Sequence, residues 1–304
     1  MDKKIFIGLI AFGDIELIKE KIMFLYKANN FYLIHYNKRE PIEKLEELKK
    51  WSLSYSNIKV VSINNVYWGH SSILKTHIYM MQEFLKMKNY NIFISLDNAT
   101  IPINWEKIYN MTDNDLFLNL DRKNVYIEKN MEKQWNYWVN SNIKDHFLIF
   151  EPKKNERYIK NDRSLTKNQK KKKLKELDKS YKPKVKTPFQ YELFVPFCIS
   201  GNFCFTYNQI KEMLSSQEFW KIYDYSLDLF APEEWVIQNF WYQKYLKNKQ
   251  FKTYNTLYYF WKNKKLLRVL TKVSLNDFIF LRYSYLSLKK VDKYLKKNKT
   301  INHL

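Results

Sequence analysis

The first hundred residues alternate between short apolar runs and longer segments in which apolar residues recur with helical spacing. The apolar runs lie at residues 5–11, 31–36, 58–63 and 90–96. The helical segments between them lie at residues 15–26, 43–53 and 71–87. Continuous apolar runs separated by helices are typical of strands that are buried on both faces of a parallel sheet. The sequence therefore predicts an α/β fold, a Rossmann-like and mostly parallel sheet with helices on both faces.

The residues directly after these strands are the first candidates for a binding site. In parallel sheets, ligands bind beyond the carboxyl ends of the strands. Segments 35–39, 64–70 and 97–100 are therefore expected to lie near one another. The helix after segment 64–70 is expected to take Ser71 or Ser72 as its N-cap, because a serine hydroxyl accepts hydrogen bonds from the free N–H groups of a first turn.

The chain of 304 residues carries a formal net charge of +22, with 53 Lys and Arg against 31 Asp and Glu. Such a charge attracts nucleic acid, anionic lipid or polyanionic substrates, but the coding bias of an AT-rich genome also produces it. The lysines concentrate at residues 153–186 and in a tail at 289–299. We interpret residues 152–188 as a basic variable insertion, either a plain surface segment or one that contacts a polyanion or a membrane.

Cysteine content and hydropathy favour a cytoplasmic protein. Cys198 and Cys204 are too few for a disulfide framework or a cysteine metal site, so buried free thiols are expected. The apolar run at 5–12 is too short for a signal-peptide core or a membrane span, and Asp14 and Glu16 prevent its extension toward the C-terminus. Peripheral contact with the inner face of an anionic membrane stays open.

Two places could supply carboxylates to a divalent cation. Asp113 and Asp115 have Asp-x-Asp spacing, which holds a metal against a nucleotide diphosphate when it comes after a strand. Here the motif precedes an apolar run, and residues 112–115 also have the composition of a turn. Asp97 stands after the fourth strand, at the expected position, but brings one acid only. A metal site at Asp97 or at Asp113 and Asp115 stays open.

An acidic pair and two cations are further candidates. Glu233 and Glu234 come after Pro232 and open an apolar run, where a carboxylate can stabilise a helix N-terminus or act as a general base. Arg268 and Lys290 flank a predicted turn and helix, and both side chains can bind phosphate, arginine through two hydrogen bonds and lysine as a point charge. Spacing alone does not choose between these structural and chemical roles.

Aromatic side chains are candidates for stacking on a sugar or a base. Most of the 9 tryptophans are expected in the core. Trp68 and Trp261 differ because each lies near a predicted strand end.

Six short segments match the motifs of one known family in the same order. They are FYLIHYNKR at 31–39, YWGHSSI at 67–73, ISLDNATIPI at 94–103, GNFCF at 201–205, PEE at 232–234 and LKKVD at 288–292. In these segments the chain resembles the core-2/I-branching β-1,6-N-acetylglucosaminyltransferases and protein xylosyltransferases of glycosyltransferase family 14. The resemblance covers most of the chain and is weakest at residues 128–188.

The resemblance implies one GT-A domain over residues 1–304 and an inverting, metal-independent transfer from a UDP-sugar. UDP-N-acetylglucosamine is the expected donor, and an oligosaccharide or glycolipid hydroxyl is the expected acceptor, with a β linkage as product. The natural setting is a bacterial surface glycan, with no metal cofactor and no nucleic-acid partner. Glu234 would be the general base, and Glu233 and Trp261 would lie at the acceptor.

The resemblance also implies a set of donor-binding residues. Asn37 and Trp68 fall at the uracil positions, and Arg268 with Lys290 or its neighbour Lys289 falls where the family holds the diphosphate without a metal. The chain departs from the family at four positions, which put the identity of the donor sugar in doubt more than the reaction class: Asn37 and Thr100 replace aspartates, Asn98 a glycine and Asn202 a serine. A metal-dependent transferase and a basic nucleic-acid-binding protein are the alternatives.

Overall fold

The computed structural model describes residues 3–117, 165–180, 202–227, 231–247, 251–253, 255–259 and 278–282, with single residues at 159, 162, 229 and 288. Four residues of the predicted site lie outside this part of the chain: Trp261, Arg268, Lys289 and Lys290. Cys198 also lies outside it, and most residues of the predicted basic insertion do, so the single-domain organisation stays a prediction.

The described strands are β1 (Ile5–Ala11), β2 (Phe31–Tyr36), β3 (Ile58–Val61), β4 (Ile92–Asp97), β5 (Thr100–Pro102), β6 (Asp115–Leu116), β7 (Phe203–Thr206), β8 (Lys252–Thr253), β9 (Asn255–Tyr259) and β10 (Phe278–Arg282). The described helices are α1 (Ile15–Leu25), α2 (Ile42–Ser52), α3 (Ser71–Lys86), α4 (Trp105–Tyr109), α5 (Lys167–Ser180), α6 (Tyr207–Ser215), α7 (Gln217–Ser226) and α8 (Val236–Lys247). A 3-10 turn at Pro232–Glu234 precedes α8.

The central sheet has 5 strands in the order β3-β2-β1-β4-β7. Its first four members are parallel, and β7 runs antiparallel to β4. Chain order reverses at β1, because β2 lies on one side of it and β4 on the other. This is the switch point at which open α/β sheets bind ligands beyond the carboxyl ends of their strands. The predicted mostly parallel α/β sheet is confirmed.

Apolar side chains cover both faces of β1, which is buried along its whole length. Ile5, Ile7 and Leu9 point into the core formed with α1 and α2. Phe6 and Ile10 point into the opposite core, formed with α3 and the helices after β7. Such two-sided burial explains why β1 reads as an uninterrupted apolar run rather than as an alternating one.

The predicted N-cap of α3 was wrong. His70 caps this helix, with Nδ1 accepting a hydrogen bond from the Ser72 amide at 3.0 Å. Ser72 lies inside the first turn, and its hydroxyl accepts from the Tyr67 amide at 3.0 Å. Because that hydroxyl holds the preceding loop, the imidazole takes over the capping of the helix.

Two histidines are buried between α3 and the sheet. His35 on β2 is fully buried, and His77 on α3 lies 2.8 Å from the Ser95 hydroxyl through Nδ1. Burial lowers the pKa of His35 to about 4 and that of His77 to about 3. Ser95 and His77 have the spacing of a nucleophile and its base, but both are shielded from solvent. The pair is therefore a structural contact.

We predict that the free energy of unfolding decreases as pH falls from 6.5 toward 4. Both histidines are harder to protonate in the folded chain, so the unfolded chain binds more protons in this window. The stability they contribute is complete above pH 6.5 and is lost progressively down to the folded pKa values of about 4 and 3. His77→Gln should flatten this slope in urea unfolding measured at several pH values. An identical slope in the variant would contradict the assignment.

Candidate active site

The β3–α3 loop, residues 62–70, lies at the carboxyl edge of the sheet. His35 Nε2 accepts hydrogen bonds from the amides of Ile63 at 3.3 Å and Asn64 at 3.1 Å. The Asn64 side chain donates to the Thr76 hydroxyl on α3 at 3.0 Å. The first half of the loop is thus fixed to β2 on one side and to α3 on the other.

Asn37, just after β2, binds the same loop through both ends of its amide. Its Nδ2 donates to the Val66 carbonyl at 2.8 Å, and its Oδ1 accepts from the Val66 amide at 3.0 Å. The Oδ1 atom also accepts from the Arg39 amide at 3.2 Å. The residue is buried. The structure therefore directs the polar atoms of this predicted uracil-binding residue toward the protein backbone.

Trp68 lies two residues beyond Val66 and is 56% exposed. Beside it, the Arg39 guanidinium lies 4.4 Å from the centre of the Tyr67 ring. Tyr67 also packs edge-on against His70, with the ring centres 5.8 Å apart. An exposed indole is suited to stacking on a planar ring, and the arginine on the neighbouring Tyr67 brings a positive charge to the same loop. The uracil role of Trp68 stays a prediction that this exposure favours.

The turn between β4 and β5 forms a second wall of the carboxyl edge. Asp97 ends β4, and its Oδ1 accepts from the Ala99 amide at 2.9 Å. Asn202 accepts from the Asp97 amide at 2.8 Å, which joins the start of β7 to this turn. Asn98 donates to the carbonyl of Phe12, just after β1, at 2.7 Å. Of the three segments expected to lie near one another, 35–39 and 64–70 are bonded directly, and 97–100 is bonded to the end of β1.

Lys21 is a residue of this region that the sequence interpretation missed. It is 1% exposed, and its ammonium donates to the carbonyls of Asp97 and Thr100, the latter at 2.6 Å. The sequence did contain a signal for a buried lysine, because Lys21 falls on the apolar stripe of α1 next to Ile18 and Ile22. A lysine on a buried stripe needs polar partners, and here the turn after β4 supplies them.

The 3-10 turn that carries the acidic pair is attached to the β3–α3 loop. The Ala231 amide donates to the Gly69 carbonyl at 2.8 Å, and Ala231 itself is left-handed with φ 50° and ψ 50°. The Glu234 amide then donates back to the Ala231 carbonyl at 3.1 Å. A left-handed alanine costs about 1–2 kcal/mol. The bond to Gly69 holds this strained bend and brings the acids to the carboxyl edge.

Burial separates the two acids of this turn. Glu233 is 5% exposed, and within the described residues its Oε2 has no hydrogen-bond partner. Burial, and next the charge of Glu234, raises the pKa of Glu233 well above its usual range. Glu234 is only half-buried. Glu233 is therefore the acid that is harder to ionise, and Glu234 is the one nearer solvent.

The Asp113 and Asp115 carboxylates lie at the other edge of the sheet. Asp113 accepts from the Thr206 hydroxyl and from the Asn208 amide group, the latter at 2.7 Å. Thr206 pairs with Ile92 at the amino end of β4. Asp115 accepts from the amide and the hydroxyl of Thr112, both at 2.7 Å. The turn interpretation of this motif is confirmed, and neither carboxylate reaches the edge that holds Glu234.

Other predictions about single elements can be compared with the described residues. Cys204 is a buried free thiol, as expected, and burial raises its pKa. Among the residues from 3 to 117 and the later described segments, no helix is long and apolar enough to cross a membrane. Over the same residues, no three His, Cys, Asp or Glu side chains form a group suited to a metal ion.

We predict that Lys21→Met lowers the free energy of unfolding by about 1–3 kcal/mol, because two buried carbonyls lose their charged donor. Lys19→Met is the matched control on the same helix. Its ammonium pairs with Glu16 at 2.6 Å and Glu47 at 3.0 Å near the surface, where such pairs contribute under about 1 kcal/mol. Urea unfolding of both variants measures the difference. Equal losses of unfolding free energy in the two variants would show that the buried bonds of Lys21 contribute no more than the surface pairs of Lys19.

The family comparison agrees with this geometry. Residues 6–180 match the family model of the Core-2/I-Branching enzymes, which is more than half of the chain and includes the β3–α3 loop and the turn after β4. A comparison with curated proteins gives no match. The sheet order, the carboxyl-edge site and the family match agree with the GT-A fold that the sequence predicts. The chain belongs to the core-2/I-branching enzyme family and is a glycosyltransferase.

Proposed function

We propose that this glycosyltransferase transfers N-acetylglucosamine from its UDP-sugar to a hydroxyl of an oligosaccharide or glycolipid, with inversion and without a metal. The observation that carries the proposal is the separation of the two acids in the Pro232–Glu234 turn. One acid is buried and its pKa is raised by that burial, and the other is half-buried at the carboxyl edge. An inverting transfer needs one ionised carboxylate within reach of the acceptor, and we assign this role to Glu234.

In the proposed reaction, the Glu234 carboxylate accepts the proton of the acceptor hydroxyl. The acceptor oxygen attacks the anomeric carbon from the face opposite UDP, and the bond from that carbon to the diphosphate oxygen breaks. The electron pair of the broken bond leaves with UDP. A single displacement inverts the anomeric carbon, so an α-linked donor gives a β-linked product.

The remaining predicted residues have supporting roles in this proposal. Arg268 with Lys289 or Lys290 neutralises the charge that develops on the departing diphosphate. Trp68 stacks on the uracil, and Trp261 packs against the acceptor sugar. Glu233 was expected to contact the acceptor. Its burial and raised pKa favour an indirect role beside Glu234 rather than direct contact with the acceptor.

Asp97 is the residue on which a metal-dependent version of the reaction would depend. It ends β4 at the carboxyl edge, where a metal-binding carboxylate would be placed. Asp113 and Asp115 do not serve this alternative, because they lie at the amino edge. The alternative of a nucleic-acid-binding protein rests on the net charge alone.

The basic helix α5 supports a location at the inner face of a bacterial cytoplasmic membrane, in surface-glycan synthesis. Lys171, Lys172 and Lys173 are all exposed on this helix. Clustered lysines are attracted to anionic lipid head groups by about 1 kcal/mol each near the surface. Contact of α5 with anionic lipid would hold the enzyme near a glycolipid acceptor.

We predict that Glu234→Gln lowers UDP release from UDP-N-acetylglucosamine in the presence of acceptor by about 10²- to 10⁴-fold, because the proton acceptor is lost. UDP binding, measured by calorimetry, should stay near wild type. Glu233→Gln should lose less activity than Glu234→Gln, since Glu233 is buried and is not the proposed proton acceptor. Glu212→Gln, at an exposed pair with Lys244, is the control.

The same assay, run over a panel of UDP-sugars with and without EDTA, tests the donor and the metal. Activity that survives EDTA is expected. Strict dependence on manganese would contradict the metal-independent mechanism and favour Asp97. Full activity of the Glu234 variant would remove the proposed base.

A further inference from the structure

We propose that Asn37 is a positioning residue: it holds the β3–α3 loop so that Trp68 meets the nucleotide, and it does not itself bind the base. This inference rests on the proposed function, since it takes a UDP-sugar as the donor. It differs from what the family resemblance implies, which is direct contact between residue 37 and uracil.

The Asn37 amide binds the backbone of Val66 through both its nitrogen and its oxygen. Nδ2 donates to the Val66 carbonyl at 2.8 Å, and Oδ1 accepts from the Val66 amide at 3.0 Å. This two-way bond requires one donor and one acceptor on the same side chain. A carboxylate supplies acceptors only. The asparagine at this position therefore suits the backbone that it faces.

The backbone on both sides of Trp68 is fixed by hydrogen bonds. Before it, Val66 is held by Asn37, and the Tyr67 amide donates to the Ser72 hydroxyl at 3.0 Å. After it, the Gly69 carbonyl accepts from the Ala231 amide at 2.8 Å. The indole between these points is 56% exposed. The loop thus presents a ring to solvent from a backbone that is restrained on either side.

The aspartate that the family resemblance places at position 37 distinguishes the two roles. If residue 37 contacted uracil, Asn37→Asp would restore the family residue, and donor binding would be kept or improved. If residue 37 holds the loop, the same change sets a carboxylate against the Val66 carbonyl, which now lies 2.8 Å from Nδ2. Two acceptors at that distance repel each other, so the loop must shift. Contact and positioning therefore predict opposite results for one substitution.

A double-mutant cycle on UDP affinity tests the inference, with the full chain titrated with UDP in a calorimeter without acceptor. Trp68→Ala is expected to weaken UDP binding on the order of 10-fold, through loss of stacking. Asn37→Asp is expected to weaken it by a similar factor. The double variant should bind no worse than Trp68→Ala alone, because both changes remove the same contact.

Two further variants separate loop positioning from general damage to the fold. Asn37→Ser sets no charge against the Val66 carbonyl, so it should lose less affinity than Asn37→Asp. Asn57→Asp is the matched control at the amino edge, where its buried Nδ2 donates to the Asn30 carbonyl at 2.8 Å and the Lys27 carbonyl at 3.2 Å. This control should lower the melting temperature without changing UDP affinity.

Several outcomes would overturn the inference. Additive losses in the double variant would mean that Asn37 contacts the nucleotide independently of Trp68. Unchanged or tighter binding in Asn37→Asp would mean that the amide pairing does not matter. If Asn57→Asp weakened UDP binding as much as Asn37→Asp, the loss of affinity would come from lower stability and not from the position of the loop. Failure of the wild-type chain to bind UDP would be a different result, since it would remove the proposed function and the inference together.

Discussion

The hydrogen bonds that fix the β3–α3 loop determine the shape of the whole carboxyl edge. His35 and Asn37 reach the loop from β2, and Ser72 reaches it from α3. The Gly69 carbonyl of this loop in turn accepts a hydrogen bond from the Ala231 amide. The segment that carries the exposed tryptophan and the turn that carries the two acids are therefore parts of one bonded unit. A shift of this loop would move both sides of the site at once.

Electrostatics at this edge depend on burial more than on the number of charges. The chain carries a net charge of +22. The two ionisable groups that matter most here are Lys21 and Glu233, and both are surrounded by buried protein rather than by water. Lys21 is a buried cation bonded to two carbonyls of the turn after β4. Glu233 is a buried acid whose pKa is raised by that burial and by the charge of Glu234.

Much of the sheet was predictable from sequence, because a strand buried on both faces leaves an uninterrupted apolar run. The predicted bounds of β1 and β2 agree with the structure, and the order of strands and helices through β4 was also correct. The N-cap of α3 was not predictable, because the choice between His70 and Ser72 depends on a loop bond to Tyr67.

The site was less predictable, because its decisive contacts join residues far apart in the chain. Spacing could not tell Glu233 from Glu234, since only tertiary packing buries one of them. The sequence led to Asn37 through a family motif, but its partner Val66 lies 29 residues away. Lys21 left a signal on the apolar stripe of α1, although its partners were not visible there.

In the proposed mechanism, one crevice bounded by the β3–α3 loop and the Pro232–Glu234 turn holds the nucleotide and the base together. A crystal structure of the chain with bound UDP tests this most directly. We expect the uracil against Trp68 and basic side chains around the phosphates, with space for the donor sugar between the diphosphate and Glu234. A pyrophosphate bound to a metal ion on Asp97, or UDP bound away from this loop, would contradict the proposed mechanism.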